Sequence, residues 1–384
     1  MSSVADSPRP KVIILGIHGA SEGYPNVLYR LKYLRESRQF DVVDISVAAW
    51  THEGHRASLP RRAVRTLTAH LMLLRQLARA PSADLVYVPY PAVFVVNLLL
   101  LLRGRTKGWR VVTDAFISVY DTVVNDRRLV GDRHPLARLL YWMERRAYER
   151  SDLIIVDTPE NAAFLRQSFG LSPEKVAAVP LSTNEIDYSP SDYCPHAGPT
   201  RILFIGTFVP LHGVQTIIEA AARLRDRPDI EFRIIGDGQH ATEAERLITL
   251  HRPNLTWLRD WHTASQLADE IRAADVCLGI FGDTDKAQRV CPLKIYAYAA
   301  IGRAIITGQT EWLKNAMVEL EQPPVASVPI GNAKALADSI VELAENPSLR
   351  ATLAEASRTY YRAALSNQVV NKQFGSYLQS ILKA

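Results

Sequence analysis

The sequence predicts an α/β protein made of two doubly wound domains in tandem, and three observations carry that expectation. Short apolar runs alternate with helical patterns along the chain, as in parallel sheets covered by helices. At 384 residues the chain exceeds what one ordinary core holds. One stretch, Ser182 to Thr200, breaks the alternation with three prolines and small polar residues, and reads as a linker. The expected division is 1–187 for the first domain, 188–199 for the linker and 200–365 for the second domain. Residues 366–384 then form a C-terminal helix packing back toward the first domain.

The elements follow in order. Val12–Gly16, Phe40–Ile45, Asp84–Val88, Arg110–Thr113 and Asp152–Val156 read as buried strands. Helical patterns lie between them, for example Pro25–Ser37 and Pro60–Ala80. Ala92–Leu102 is apolar but far shorter than the roughly 20 residues that span a bilayer, so it reads as a buried helix. After the linker come strand Arg201–Ile205, helix Val214–Arg225 and strands Glu231–Ile235, Asp275–Gly279 and Ala304–Ile306. A closing helical stretch from Ala351 is split near Ser366-Asn367.

Composition is that of a globular protein, 47% hydrophobic and 22% charged. The three cysteines, Cys194, Cys277 and Cys291, show no paired spacing, which argues against a disulfide framework and for a reducing compartment. The N-terminus lacks the charged-then-apolar pattern of a signal peptide. A cytoplasmic location is expected. The net charge of +5 permits anionic partners. Nucleic acid is not among those expected, because the basic residues are not interleaved with aromatics.

In open parallel sheets, ligands bind at the carboxyl ends of strands beside helix N-termini. Strand Arg201–Ile205 runs into Gly206-Thr-Phe-Val-Pro-Leu-His-Gly213 and a helix. Gly206 and Gly213 allow backbone amides to approach an anion, Thr207 adds a hydroxyl and His212 a ring donor. A tight turn without ligand fits the spacing equally well. Strand Glu231–Ile235 ends in Gly236-Asp237-Gly238, a second close-approach loop. From Phe281 to Ile306 a polar stretch holding Lys286, Gln288, Arg289 and Lys294 leads into a helix bounded by Pro292 and Gly302. Cations converging on a helix N-terminus at a sheet's carboxyl edge suit a diphosphate.

Ile205-Gly-Thr-Phe-Val-Pro-Leu-His-Gly-Val214, Ile234-Ile-Gly-Asp-Gly238, Pro292-x-Lys-Ile-Tyr and Gly302 together resemble the nucleotide-binding half of bacterial glycosyltransferases of family four. Asp114–Thr122, Ala137-Arg-Leu-Leu-Tyr141 and Val156-Asp-Thr158 resemble their first half. The resemblance implies the GT-B fold, with two domains facing across a cleft. It also implies sugar transfer from a nucleoside-diphosphate donor, UDP or GDP first, with retention of configuration and with neither metal nor cofactor. The acceptor class it implies is a small molecule, a glycan or a lipid-linked compound, in bacterial polysaccharide or specialised-metabolite glycoside synthesis.

This chain departs from the family where most members carry two glutamates eight positions apart. Arg289 and Ala297 stand there, and Thr207 and His212 stand where a basic pair contacts the donor phosphate. Lys294 keeps its expected place. The expected donor site is therefore Gly206, Thr207, His212, Gly213, Gly236, Asp237, Arg289 and Lys294, with Lys294 also stabilising the leaving group. On the acceptor side, Gly19 and Gly23 form a glycine-bearing loop after the first strand. Asp114, at the position of a polar residue near the reacting sugar, is the expected catalytic partner, with Ser118 and Asp121 in the same loop. Helix capping is the competing role for those polar side chains. Asp283-Thr-Asp285 imitates a metal motif of another architecture, and no cluster elsewhere supplies a ligand set.

Between Gly54 and Ala83 there are six arginines and no acid. On a helix from Pro60, Arg61, Arg65, Arg75 and Arg79 share one face, and Leu67, Leu71, Leu74 and Ala78 another. The first reading packs the apolar side inward and leaves the arginines in water. The second lays the helix on the inner face of an anionic membrane. Two rival functions remain: a nucleotide-sugar epimerase or phosphorylase on the same fold, and a silent sugar-nucleotide-binding subunit. A dehydrogenase is disfavoured, because no GxGxxG follows the first strand.

Overall fold

The computed structural model describes residues 8–18, 25–48, 59–99, 108–260, 262–318, 320 and 322–383. The chain divides into two compact units. Unit 1 comprises residues 1–122, 130–182 and 371–384, and unit 2 comprises 123–129 and 183–370.

Unit 1 holds β1 (Lys11–Ile14), β2 (Ile17–His18), β3 (Asp41–Asp44), β4 (Val47–Ala48), β5 (Leu85–Val88), β6 (Arg110–Asp114), β7 (Leu153–Val156) and β8 (Val176–Ala178). Six of them form a parallel sheet in the order β3-β1-β5-β6-β7-β8, and β2 pairs with β4 alone. The central strands are continuous apolar runs because both faces are covered: Leu85–Val88 and Leu153–Val156 are buried throughout. Helix Pro25–Glu36 buries Val27, Leu31 and Leu34 at helical spacing, and with them the guanidinium of Arg30. The end of helix Asn367–Lys383 belongs to this unit, where Phe374 packs edge-on against Tyr33 and Tyr87.

Unit 2 holds β9 (Thr200–Ile205), β10 (Ile230–Ile235), β11 (Leu255–Leu258), β12 (Val276–Leu278), β13 (Ala304–Gly308) and β14 (Ala326–Val328). They form a second parallel sheet in the order β11-β10-β9-β12-β13-β14. The order reverses at β9, so the crevice at its carboxyl end is the switch point where such sheets take ligands. The apolar faces of helices Val214–Arg223 and Ala333–Glu345 meet strand residues Phe204, Phe232 and Leu278 in one core.

Two expectations are revised. The proline-bearing stretch 188–199 is not a free tether but is fastened to unit 2, and the boundary falls at Ser182/Thr183. The Tyr193 hydroxyl donates to Asp275 at 2.6 Å, and Arg303 donates to the Ser191 carbonyl at 3.0 Å. Helix Leu59–Leu77 buries Ala69, Leu73 and Leu77, whereas Leu67 and Leu71 of the expected packing face are exposed. Among the described residues no helix is long and apolar enough to cross a membrane.

Candidate functional site

The site is built where β9, β10 and β12 end in unit 2. After Ile205 the chain passes through Gly206, turns tightly over Pro210–His212 and enters helix Val214–Arg223 through Gly213. Gly213 has φ of +61°, and a Cβ there would run into the Phe281 backbone, so only glycine fits both conformation and space. Gly236 has φ of +135°, and its missing Cβ leaves room for the Gly206 carbonyl. The three loops are thus packed backbone against backbone.

Into this frame come two basic side chains. Lys294 stands in the first turn of helix Leu293–Ile301, which Tyr298 ties to β9 by accepting from the Ile205 amide at 3.1 Å. The Lys294 stem is half-buried, but Nζ is shielded from solvent and has no hydrogen-bond partner. It lies 4.0 Å from the centroid of the Phe204 ring. Burial pushes the pKa of this ammonium well below its ordinary value. His212 is buried and meets the Phe204 ring edge-on at 5.9 Å. Its Nδ1 contacts the Thr207 carbonyl; a carbonyl only accepts, so Nδ1 carries the proton and Nε2 is left as an acceptor. Burial first, then the charges of Lys294 and Arg127, push the His212 pKa well down, against the opposing pull of that carbonyl.

Gly206 shows how closely the groups converge. A Cβ built there would stand 2.7 Å from Lys294 Nζ and 2.9 Å from His212 Cε1. The expected trio of Gly206, His212 and Lys294 is brought to one point. A buried cation without a hydrogen-bond partner is costly, and an anion brought against it would remove that cost.

The other expected donor residues are placed less directly. The Thr207 side chain is exposed, and its contribution to the site is the carbonyl that holds His212. Asp237 is engaged by Arg259 at 3.1 Å and by the Gly238 amide at 2.8 Å. Arg289 ends the short helix Asp285–Arg289, and its Nε donates to the Asp285 carbonyl at 3.0 Å. Ala297 is buried in helix Leu293–Ile301. Asp283 and Asp285 are exposed, and among the described residues no three His, Cys, Asp or Glu side chains gather.

The acceptor-side expectations need correction. Asp114 is wholly buried: its Oδ2 accepts from Arg30 at 2.7 Å and from the Tyr87 hydroxyl at 2.8 Å, and its Oδ1 from the Phe116 amide at 3.1 Å. Arg30 in turn reaches the Val179 carbonyl at 3.0 Å. Asp114 therefore ties a helix and three strand ends of unit 1 together, and both of its carboxylate oxygens are engaged within that unit. Ser118 donates to Glu144 at 2.7 Å and receives the Asp121 amide at 3.0 Å, a local fastening of the loop. Asp121 is buried at the start of the wide turn Asp121–Asp126. Gly19 and Gly23 lie outside the described residues.

Two features were missed by sequence reasoning. Glu144 is buried and accepts from Ser118, from the Val119 amide at 2.6 Å and from the Tyr148 hydroxyl at 3.3 Å, so it shapes the loop after β6. Its spacing from Ala137, Ala147 and Tyr148 put it on the buried face of helix Pro135–Arg150, a legible sign. The second is the segment Val123–Leu129, which belongs to unit 2. Asp126 pairs with Lys286 at 3.9 Å and Gln239 donates to the Arg127 carbonyl at 3.4 Å, which brings Arg127 close enough for its charge to act on His212. Nothing in the local sequence marks that long-range placement.

Glycine loops beside a lysine amine that lacks a hydrogen-bond partner stand at the switch point of a parallel sheet, the place where doubly wound α/β proteins take their ligands. Residues 19–182 match the family model "Glycosyl transferase 4-like domain", and residues 199–346 match "Glycosyl transferases group 1". The chain belongs to this family of glycosyl transferases and has the two-domain GT-B fold.

Among curated proteins it is similar to the MMP alpha-(1->4)-mannosyltransferase of Mycolicibacterium hassiacum, 30% identical over 212 residues, which are 48% of this chain and 50% of that protein. It is also similar to the D-inositol 3-phosphate glycosyltransferase of Pseudarthrobacter chlorophenolicus, 26% identical over 250 residues, 57% and 58% of the two chains. The chain spans about half the length of the curated relatives it matches. Among solved structures, sucrose-phosphate synthase from Thermosynechococcus elongatus superposes with a TM-score of 0.73 at 17% identity over 97% of this chain and 99% of that one. Anabaena HepE in complex with UDP gives 0.70 at 14% identity over 96% and 100%. At such identities the likeness is one of fold.

Proposed function

We propose that the protein transfers a sugar from a nucleoside-diphosphate donor to a small-molecule, glycan or lipid-linked acceptor, with retention of configuration and without a metal ion. The observation that carries this reading is the buried, unpartnered Lys294 Nζ beside Gly206 and His212. As the donor bond breaks, negative charge develops on the departing β-phosphate. Lys294 and the N-terminus of helix Leu293–Ile301 would stabilise it, with His212 able to donate once Nε2 is protonated. Most amides of the Gly206 loop already donate to backbone carbonyls, among them Gly206 to Ile235 at 2.9 Å and Phe208 to Asp237 at 3.0 Å. In this reading the leaving phosphate takes the acceptor proton on the same face, which yields retention. UDP and GDP are the first donors to test. UDP suits the relatives solved with UDP and UDP-glucose, and the starch synthase IV from Arabidopsis solved with ADP makes ADP a further arm. A bacterial cytoplasmic setting, in polysaccharide or specialised-metabolite glycoside synthesis, completes the proposal.

The replacement of the family's glutamate pair by Arg289 and Ala297 favours one second reading, a donor-binding subunit without transfer activity. Thermal-shift titration with UDP, GDP, ADP and dTDP sugars tests donor binding, since a ligand of the native state raises the melting temperature. Product analysis with candidate acceptors then separates transfer from silent binding. Absence of any nucleotide-dependent shift refutes both readings.

A further inference from the structure

Helix Leu59–Leu77 presents its apolar residues on two opposite sides. Ala69, Leu73 and Leu77 face the core, and at about 100° per residue Leu71 points some 160° away from Leu73. Leu67 is 63% exposed and Leu71 60%, on the side where Arg75 continues the same i, i+4 row.

The pattern continues on the neighbouring helices. Ala69, Leu73, Val93, Val96 and Ala147 pack on alternate residues of β1, β5 and β6, so helices Leu59–Leu77, Ala92–Leu99 and Pro135–Arg150 cover one face of the first sheet. Phe94 protrudes from the second of these, and Leu136, Leu139 and Trp142 from the third, Trp142 being 52% exposed. More than half of the exposed large hydrophobic side chains described in the chain lie on these three helices.

The charge around them is predominantly positive. Exposed arginines stand at 75, 79, 138, 145 and 146, the Arg146 guanidinium lying 5.2 Å from the Trp142 ring. The first two helices carry no acidic residue. On the third, Glu144 is buried in the loop clamp and Glu149 pairs with Arg145 at 2.9 Å.

We infer that this helix layer of unit 1 docks on an anionic lipid bilayer. Leucine, phenylalanine and tryptophan side chains enter the boundary between headgroups and acyl chains, and the arginines stay at the phosphate level on their apolar stems. A second copy of the chain is a poor occupant, since a two-fold face would set arginines against arginines. The inference is independent of the donor chemistry.

Vesicle flotation with the full chain tests it. Co-flotation is expected with mixed phosphatidylcholine and phosphatidylglycerol vesicles, weakening as salt rises, and not with phosphatidylcholine alone. Leu71→Glu and Trp142→Glu should each cut the bound fraction roughly tenfold, while the nucleotide-dependent thermal shift stays as in the parent. These positions are exposed, so the fold should tolerate both changes. Failure to float at low salt would overturn the inference, as would flotation indifferent to both substitutions. So would a stable dimer in light scattering that Leu71→Glu disperses.

Discussion

Replacing Lys294 by methionine should make the empty protein more stable while it weakens donor binding. Nζ is buried with no partner, and leaving such a group unsatisfied costs roughly 1–3 kcal/mol, whether the amine keeps its charge or sheds its proton. Methionine retains most of the stem and sets a thioether near the Phe204 ring, a contact that sulfur favours. At about 2–4 °C per kcal/mol for a domain of this size, the melting temperature of the empty protein should rise by several degrees. The same change removes a charge-assisted contact to the diphosphate worth roughly 1.5–3 kcal/mol, so the donor should bind about ten- to a hundredfold more weakly. Differential scanning calorimetry with and without UDP reads both effects. A destabilised empty protein that keeps its full UDP-dependent shift would refute the reasoning.

Other perturbations separate site from scaffold. Gly206→Ala drives a methyl toward Lys294 Nζ and His212, so the nucleotide-dependent shift should shrink with folding intact by circular dichroism. Lys294 and His212 both have lowered pKa values in the empty protein, so diphosphate binding should take up protons and weaken as pH rises. Calorimetry in buffers of different ionisation enthalpy measures that uptake, and proton release would contradict it. Asp114→Asn leaves the buried Arg30 guanidinium uncompensated and should cost about 3–5 kcal/mol in denaturant unfolding. Full stability with transfer abolished would instead return Asp114 to the chemistry. His18 is lowered to about 4, mainly by burial, against an ordinary value near 6.5. Its folded form resists protonation, so the stability it contributes is complete above about pH 6.5 and is lost as pH falls toward 4, on the order of 3 kcal/mol. Acid unfolding of His18→Gln should lack that component.

Much of this architecture was legible because parallel strands buried on both faces are continuous apolar runs, and Leu85–Val88 or Leu153–Val156 can hardly be read otherwise. The glycine loops of unit 2 were legible for a related reason. Gly206, Gly213 and Gly236 mark the places where backbone approaches backbone or φ turns positive, and the chain order of the strands placed those glycines on one edge. Asp114 was misread because a polar residue at a strand's carboxyl end is equally suited to a substrate or to a buried arginine, and Arg30 lies 84 positions away. Arg127 was invisible because its placement depends on the distant partners Lys286 and Gln239. The helix Leu59–Leu77 was misread because it has two apolar stripes, and periodicity alone does not say which one meets the core.

The central claim is that a pyrophosphate completes the electrostatics of Lys294. A crystal structure with a bound nucleoside diphosphate tests it most directly. The β-phosphate should lie within hydrogen-bonding distance of Lys294 Nζ and against the Gly206 backbone, with His212 Nε2 turned to the same anion. A diphosphate bound elsewhere, with Lys294 Nζ still lacking a partner, would contradict the account.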